Sequence, residues 1–296
     1  MKRKVSFKRD GLTLIGTLFT PDNFEESGHY KAIIVEGSAT SVKEQMPELY
    51  AQNFANEEFV VLAFDYSHYG ESEGKPRQLE DPATKLNDLK AAVSYLTSLP
   101  YVQAVGMVGV CTSAGNAAYL AADDTRVKAI ATVAGYLPEP SLINGLFGEA
   151  EVTRRRELAD AAKSKFEQSG VETIVTAYSE TDQTAANFAP AGAFDYYLNR
   201  SRGNIPEWKN ELAVMSYESL YDFDPISKAS AIKIPTMVVH SDGSSFPDQA
   251  KKFYSLLQGE KELVWADGSH FDYYDQPTQV NNAVKNVTRF FNKHLF

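Results

Sequence analysis

Residues 106–122 read GMVGVCTSAGNAAYLAA, and the fold turns on how this stretch is parsed. Its first part continues Val105 to Val110, a short apolar run suited to a buried strand, and its second part is an Ala-rich helix with no loop-length gap between them. A side chain at that junction stands on a sharp turn. The turn brings strand and helix backbone so close that the positions two before and two after the junction residue must be small, which is the logic of the G-x-S-x-G nucleophile elbow. Here the frame GVCTS sets Gly109 and Ser113 around Cys111. The helix N-terminus and the Thr112 N–H favour a thiolate there and, later, an oxyanion.

Two other parsings compete. Ser113 is the nucleophile in the frame CTSAG, flanked by Cys111 and Gly115, which lengthens the strand by two residues. Alternatively, Cys111 is only a small buried hydrophobe, the common fate of a free cysteine. The elbow setting with small flanking residues favours the thiol as nucleophile.

A nucleophile on such a turn is followed in chain order by an acid and then a histidine after the last strand. His270, in ADGSHFDYYD after the run Lys261 to Trp265, meets that description as the base. His294 ends the terminal helix, His29 and His68 precede the nucleophile, and His240 ends a buried run, so these four read as structural. For the acid, TMVVHSDGSSFPDQ offers Asp242, the nearest carboxylate, and Asp248; Glu139 is a further option. Against the common pattern HGxxD, Ser244 stands where the acid belongs. A thiol tolerates a weak or absent acid better than a hydroxyl does, because it ionises more readily. The second oxyanion donor is expected from VEGSATSVKEQ, where Gly37 permits close backbone approach and the Ser38 N–H joins that of Thr112. Glu36, a carboxylate ending a buried strand, reads either as a modulator that raises the thiol pKa or as a turn carboxylate.

Outward from this centre, β-branched and aromatic runs alternate with amphipathic helices, the pattern of a mostly parallel sheet covered on both faces. Val5 to Phe7 and Leu12 to Phe19 flank Asp10 and Gly11 and read as an antiparallel hairpin; Ala32 to Glu36, Phe59 to Phe64, Val105 to Val110, Val127 to Val133, Thr236 to His240 and Lys261 to Trp265 read as buried strands. Asp81 and Pro82 mark a helix start. A terminal helix from about Thr278 to His294 carries Val280, Val284, Val287 and Phe291 on one stripe. Residues 137–223 break the alternation and read as a helical cap insertion, leaving 1–136 and 224–296 as the core. Arg154 to Arg156, beside Glu151 and Glu157, read as a solvated face of a cap helix in preference to an anion site. Phe188, Phe194, Tyr196, Tyr197, Trp208 and Tyr217 are candidates for an acyl pocket or for the cap's own core.

The chain has 296 residues, a formal net charge of -10 and one cysteine. The negative charge argues against phosphate-dominated partners, so no nucleic acid and no membrane surface is expected; a small-molecule acyl substrate fits better. A lone cysteine forms no internal disulfide, and MKRKVSFKRDGL lacks an apolar signal segment, so a cytoplasmic address is expected. There is no HExxH, no paired cysteine ligands and no GxxxxGK[ST], hence no expected cofactor or metal. The oligomeric state is left open, a homodimer included.

With these residues in place, the chain resembles the dienelactone-hydrolase-like branch of the α/β-hydrolases, in which the elbow nucleophile is often cysteine. Stretches similar to VKEQMPELYAQNFA, LAFDYSHYGESEGKPR, GVCTSAGNAAYLAADDTRVKAIATV and GSHFDYYD recur in this order among largely uncharacterised bacterial members. The likeness covers roughly residues 5–136 and 225–294, and the group is also similar to fungal polyketide transferases. It implies an α/β-hydrolase fold, Cys111 and His270 as the catalytic pair, loose support for Asp242, and a structural place for Asp65. The expected activity is cleavage of an ester, lactone or thioester through a Cys111 acyl-enzyme. Acyl transfer of the polyketide-transferase type and non-catalytic binding of a small apolar ligand are the alternatives.

Overall fold

Asp10 and Gly11, with φ of 47° and 87°, close the first hairpin, whose two central residues both need left-handed backbone. They join β1 (Lys2–Arg9) to β2 (Leu12–Phe19) in antiparallel register, Arg9 opposite Leu12. The structure, a computed structural model, describes residues 1–296. The chain continues through β3 (Tyr30–Glu36), α1 (Met46–Asn56), β4 (Val60–Phe64), α2 (Pro82–Thr97), β5 (Val102–Val110), α3 (Thr112–Asp123) and β6 (Val127–Val133). Next come α4 (Pro140–Phe147), α5 (Glu149–Ser169), the short strands β7 (Ile174–Thr176), β8 (Tyr178–Ser179) and β9 (Asn187–Phe188), α6 (Asp195–Leu198), β10 (Glu211–Ala213) and α7 (Ser216–Tyr221). The chain ends with β11 (Thr236–His240), α8 (Pro247–Leu256), β12 (Lys261–Trp265), α9 (Asp272–Asp275) and α10 (Pro277–His294).

Eight strands form one sheet in the order β1-β2-β4-β3-β5-β6-β11-β12, parallel from β4 to β12, with the hairpin antiparallel at one edge. The reading of a mostly parallel sheet with an N-terminal hairpin holds. Alternation along β3 sends Ile33 and Val35 to one core with α1 and α10, and Ala32 and Ile34 to the other with α2, α3 and α8. Each fully buried aliphatic side chain on these faces contributes about 1.5–3 kcal/mol. The Asp81 carboxylate caps α2 by accepting the Ala83 N–H at 2.9 Å, with Pro82 at the first helical position. The stripe Val280, Val284, Val287 and Phe291 of α10 is buried. No helix is long and apolar enough to cross a membrane.

The segment between β6 and β11 is not purely helical, as its composition suggested. Besides α4 to α7 it holds two small sheets, β7 with β10 and β8 with β9. These strands are two or three residues long, too short for periodicity to register.

Candidate active site

Cys111 sits between β5 and α3 with φ 56° and ψ −119°, a conformation that a residue with a side chain adopts only under constraint. Three hydrogen bonds supply the constraint. Its N–H donates to the Val133 carbonyl at 3.1 Å, and its carbonyl accepts the N–H groups of Ala114 at 3.0 Å and Tyr136 at 2.9 Å. A Cβ at Gly109 would lie 2.0 Å from the Ser113 carbonyl oxygen, so this approach requires glycine. Cys111 is 8% exposed and lines a cavity. Ser113 is wholly buried, its Oγ 3.3 Å from the Tyr66 hydroxyl and 3.4 Å from Asn116 Nδ2, so it cannot be a nucleophile in that cavity.

His270 follows β12, and its Nε2 lies 3.4 Å from Cys111 Sγ and 3.1 Å from the Tyr274 hydroxyl. Nδ1 meets the Ser244 hydroxyl at 3.2 Å and the Ser245 N–H at 3.3 Å. No carboxylate reaches the ring. Asp242, read as the acid, is corrected here: its side chain is 79% exposed and lies 3.6 Å from Lys251 Nζ. The turn after β11 carries it outward and brings Ser244 to Nδ1 instead. Asp248 is solvent-facing, and Glu139 pairs with Lys252 at 2.6 Å. Burial pushes the His270 imidazole down to about 3, with His240 beside it adding to the effect, and pushes the Cys111 thiol up against hydrogen bonds from Tyr274 and Thr112. Both shifts favour the neutral thiol and the neutral imidazole.

The Thr112 N–H bears on the sulfur, and the Thr112 hydroxyl accepts the Ala39 N–H at 3.1 Å. Ser38 does not form part of the cavity wall; it is 1% exposed and its Oγ accepts the Tyr197 hydroxyl at 2.6 Å. The residue of that loop that lines the cavity is Ala39, one position further on. Gly37 is held close because its carbonyl accepts the Ser113 N–H at 3.2 Å and a Cβ there would meet Met46 Sδ at 2.5 Å. Glu36 is likewise corrected. It shares the sheet face of Ala32 and Ile34, away from Cys111, and accepts the Phe64 N–H at 3.1 Å; burial raises its pKa well above the usual carboxylate value. The carboxylate bearing on the thiol is Glu80. It accepts the Thr40 N–H at 3.2 Å and the Tyr69 hydroxyl at 2.9 Å, and pairs with Lys85 at 2.5 Å.

The cavity in front of the sulfur has a volume of about 200 Å³, and 14 of its 19 lining residues are hydrophobic, so it suits an apolar chain. Of the six aromatics singled out, Tyr197 and Tyr217 line it; Tyr196 packs on Tyr274 with ring centres 4.8 Å apart, Trp208 stacks on Tyr197 and donates Nε1–H to the Thr40 hydroxyl at 3.4 Å, Phe194 packs on Tyr178, and Phe188 is 47% exposed. Arg154 and Arg156 make exposed pairs with Glu151 and Asp222, as a solvated face should, but Arg155 turns inward to the cavity. For Arg155 the solvated-face reading is therefore corrected, and Tyr274 escaped the sequence reading. The His270–Tyr274 spacing of four, one helical turn, was the available signal for the latter. Elsewhere the clustered carboxylates Glu44, Asp65 and Glu71 are bridged by the Lys43 ammonium, at 2.5, 2.8 and 2.9 Å, which gives Asp65 a structural role.

The chain resembles the uncharacterised protein PA2218 of Pseudomonas aeruginosa, with 31% identity over 99% of this chain and 81% of the other. The crystal structure of PA2218 superposes with a TM-score of 0.86, covering 100% of this chain and 94% of that one. It is 28% identical to the thiohydrolase aneE of Aspergillus aculeatus, over 88% of this chain and 83% of the other. It is 26% identical to the polyketide transferase claH of Penicillium crustosum, over 91% and 90%. Residues 33–277 match the alpha/beta hydrolase fold family, and with the elbow, the sheet order and the loop histidine in the places described, the chain belongs to that family.

Proposed function

We propose that the protein hydrolyses a small ester, lactone or thioester through an acyl-enzyme on Cys111. The observation that carries this reading is the 3.4 Å approach of His270 Nε2 to a sulfur held on a strained elbow at the wall of an apolar cavity. His270 takes the thiol proton as sulfur bonds to the carbonyl carbon. The oxyanion accepts from the Thr112 N–H and from the Ala39 N–H, which leaves the Thr112 hydroxyl to do so. The intermediate then collapses, the bond to the leaving oxygen or sulfur breaks, and His270 returns the proton to it. Water, deprotonated by the same imidazole, attacks the Cys111 thioester and releases the acid and the free thiol. Similarity to a thiohydrolase and a polyketide transferase supports acyl chemistry of this kind. The apolar walls also favour a second reading, in which an alcohol takes the place of water as acceptor.

The test is a burst assay with p-nitrophenyl acetate combined with intact-mass detection. One acetyl group mapped to Cys111, absent in Cys111→Ala and retained in Ser113→Ala, is the expected result. An acetylated Cys111→Ala protein would overturn the assignment, and products formed with an added alcohol would separate transfer from hydrolysis.

A further inference from the structure

Resting on that reading, we infer that the cap end of the cavity is a carboxylate-binding subsite formed by Arg155 and Tyr221, so that the substrate carries a carboxylate remote from the carbonyl attacked. Arg155, only 13% exposed, is the one Arg, Lys, Asp or Glu side chain lining a mostly apolar cavity. Its guanidinium lies 5.1 Å from the Phe147 ring centre and 5.0 Å from that of Tyr217, which fix its plane. Nε donates to Glu151 at 2.7 Å and Nη1 to the Ala186 carbonyl at 2.9 Å, so Nη2 faces no protein carboxylate or carbonyl. Glu151 also holds Arg154 through two 2.7 Å bonds, so one carboxylate serves two guanidiniums and a positive charge is left over at the cavity.

A second observation concerns the phenol beside that charge. Tyr221, 5% exposed, lines the same cavity with its hydroxyl beside the guanidinium, which can only donate to it, and no protein acceptor takes the hydroxyl proton. A buried hydroxyl without an acceptor is rare in a folded chain. A guanidinium can only donate, and a phenol can donate too, so the group that satisfies both is one that only accepts. A carboxylate meets this requirement and also matches the unbalanced charge.

The experiment compares p-nitrophenyl esters of a neutral acyl chain and of an ω-carboxyacyl chain of equal length, and phenyl acetate with 4-carboxyphenyl acetate. The first pair places the carboxylate on the acyl side, the second on the leaving side. In the wild type, kcat/KM is expected to favour the carboxylated member of one pair at least tenfold. That ratio should fall about tenfold in Arg155→Met and about threefold in Tyr221→Phe, with thermal melting confirming that both variants fold. A wild type with no preference in either pair, or variants that slow both members alike, would overturn the subsite. Calorimetric titration of Cys111→Ala with glutarate and with butyrate separates this from the chemistry. If no ester is turned over, hydrolysis fails, while glutarate binding that is lost on adding Arg155→Met still supports the subsite and absent glutarate binding rejects it.

Discussion

The hydroxyl of Ser244 lies 3.2 Å from Nδ1 of His270, where a carboxylate would otherwise hold the ring, and no negative charge stands behind the imidazole. The Ser245 N–H reaches the same nitrogen at 3.3 Å, so two neighbours compete to set the tautomer. For Nε2 to take the thiol proton, Nδ1 must donate to Ser244. In Ser244→Asp a carboxylate, which can only accept, would fix that tautomer and stabilise the imidazolium. We expect kcat/KM for an activated ester to rise about tenfold at pH 7, with a new acid limb as the raised histidine pKa enters the working range. A pH profile identical to wild type would show that the introduced carboxylate does not engage the ring.

Neutral thiol beside neutral imidazole makes a prediction for the wild type. With His270 pushed down to about 3, the base stays unprotonated as pH falls from 8 to 5, so kcat/KM should show no histidine limb in that range. Burial raises the thiol, so alkylation of Cys111 by iodoacetamide should accelerate with pH through and beyond 9. An alkylation rate already level at pH 7 would mean an ion pair and sink this description.

Much of this was legible in the residues because it rests on local constraints. Gly109, Cys111 and Ser113 announce the elbow, since the turn admits only small neighbours, and Asp10-Gly11 announces the hairpin by its need for left-handed backbone. The meeting of His270 with Cys111 was legible from chain order and the loop after the last strand. The acid was not, because Asp242 and Ser244 are two residues apart on one turn and only the path of that turn decides which faces the ring. Glu80 and Tyr274 escaped, and Arg155 was read as solvated, for a related reason: their roles come from contacts between elements remote in sequence, such as the Thr40 N–H on Glu80 or the ring of Tyr217 on Arg155. No periodicity encodes those.

Glu80 and Lys85 form a pair with almost no exposure, set beneath the loop that carries Ala39 and Thr40. Removing one partner strands the other charge, so Glu80→Leu should cost about 3–5 kcal/mol and lower Tm by roughly 10 °C. The double variant Glu80→Leu, Lys85→Met should be milder than either single change, because no unpaired charge remains. Both variants that lack Glu80 lose the acceptor of the Thr40 N–H and should be slower with activated esters. Thermal melting checks the first point. Equal melting of single and double variants would mean that Lys85 is rescued by water.

His240 is fully buried at the end of β11, and neither of its ring nitrogens has a hydrogen-bond partner. Burial pushes its pKa down to about 4, while His270 lies near 3, so both are below the value of about 6.5 that each has in the unfolded chain. As pH drops through 6.5 the unfolded chain takes up protons that the folded one refuses, and stability declines down to about pH 4 through His240 and to about pH 3 through His270. His240→Leu, close in volume, removes one of these sites and two unsatisfied nitrogens. It should raise Tm at pH 7 by about 2–4 °C and flatten the loss between pH 6.5 and 4. Chemical denaturation across that range measures the slope, and a slope as steep as wild type would show that His240 is protonated equally in both states.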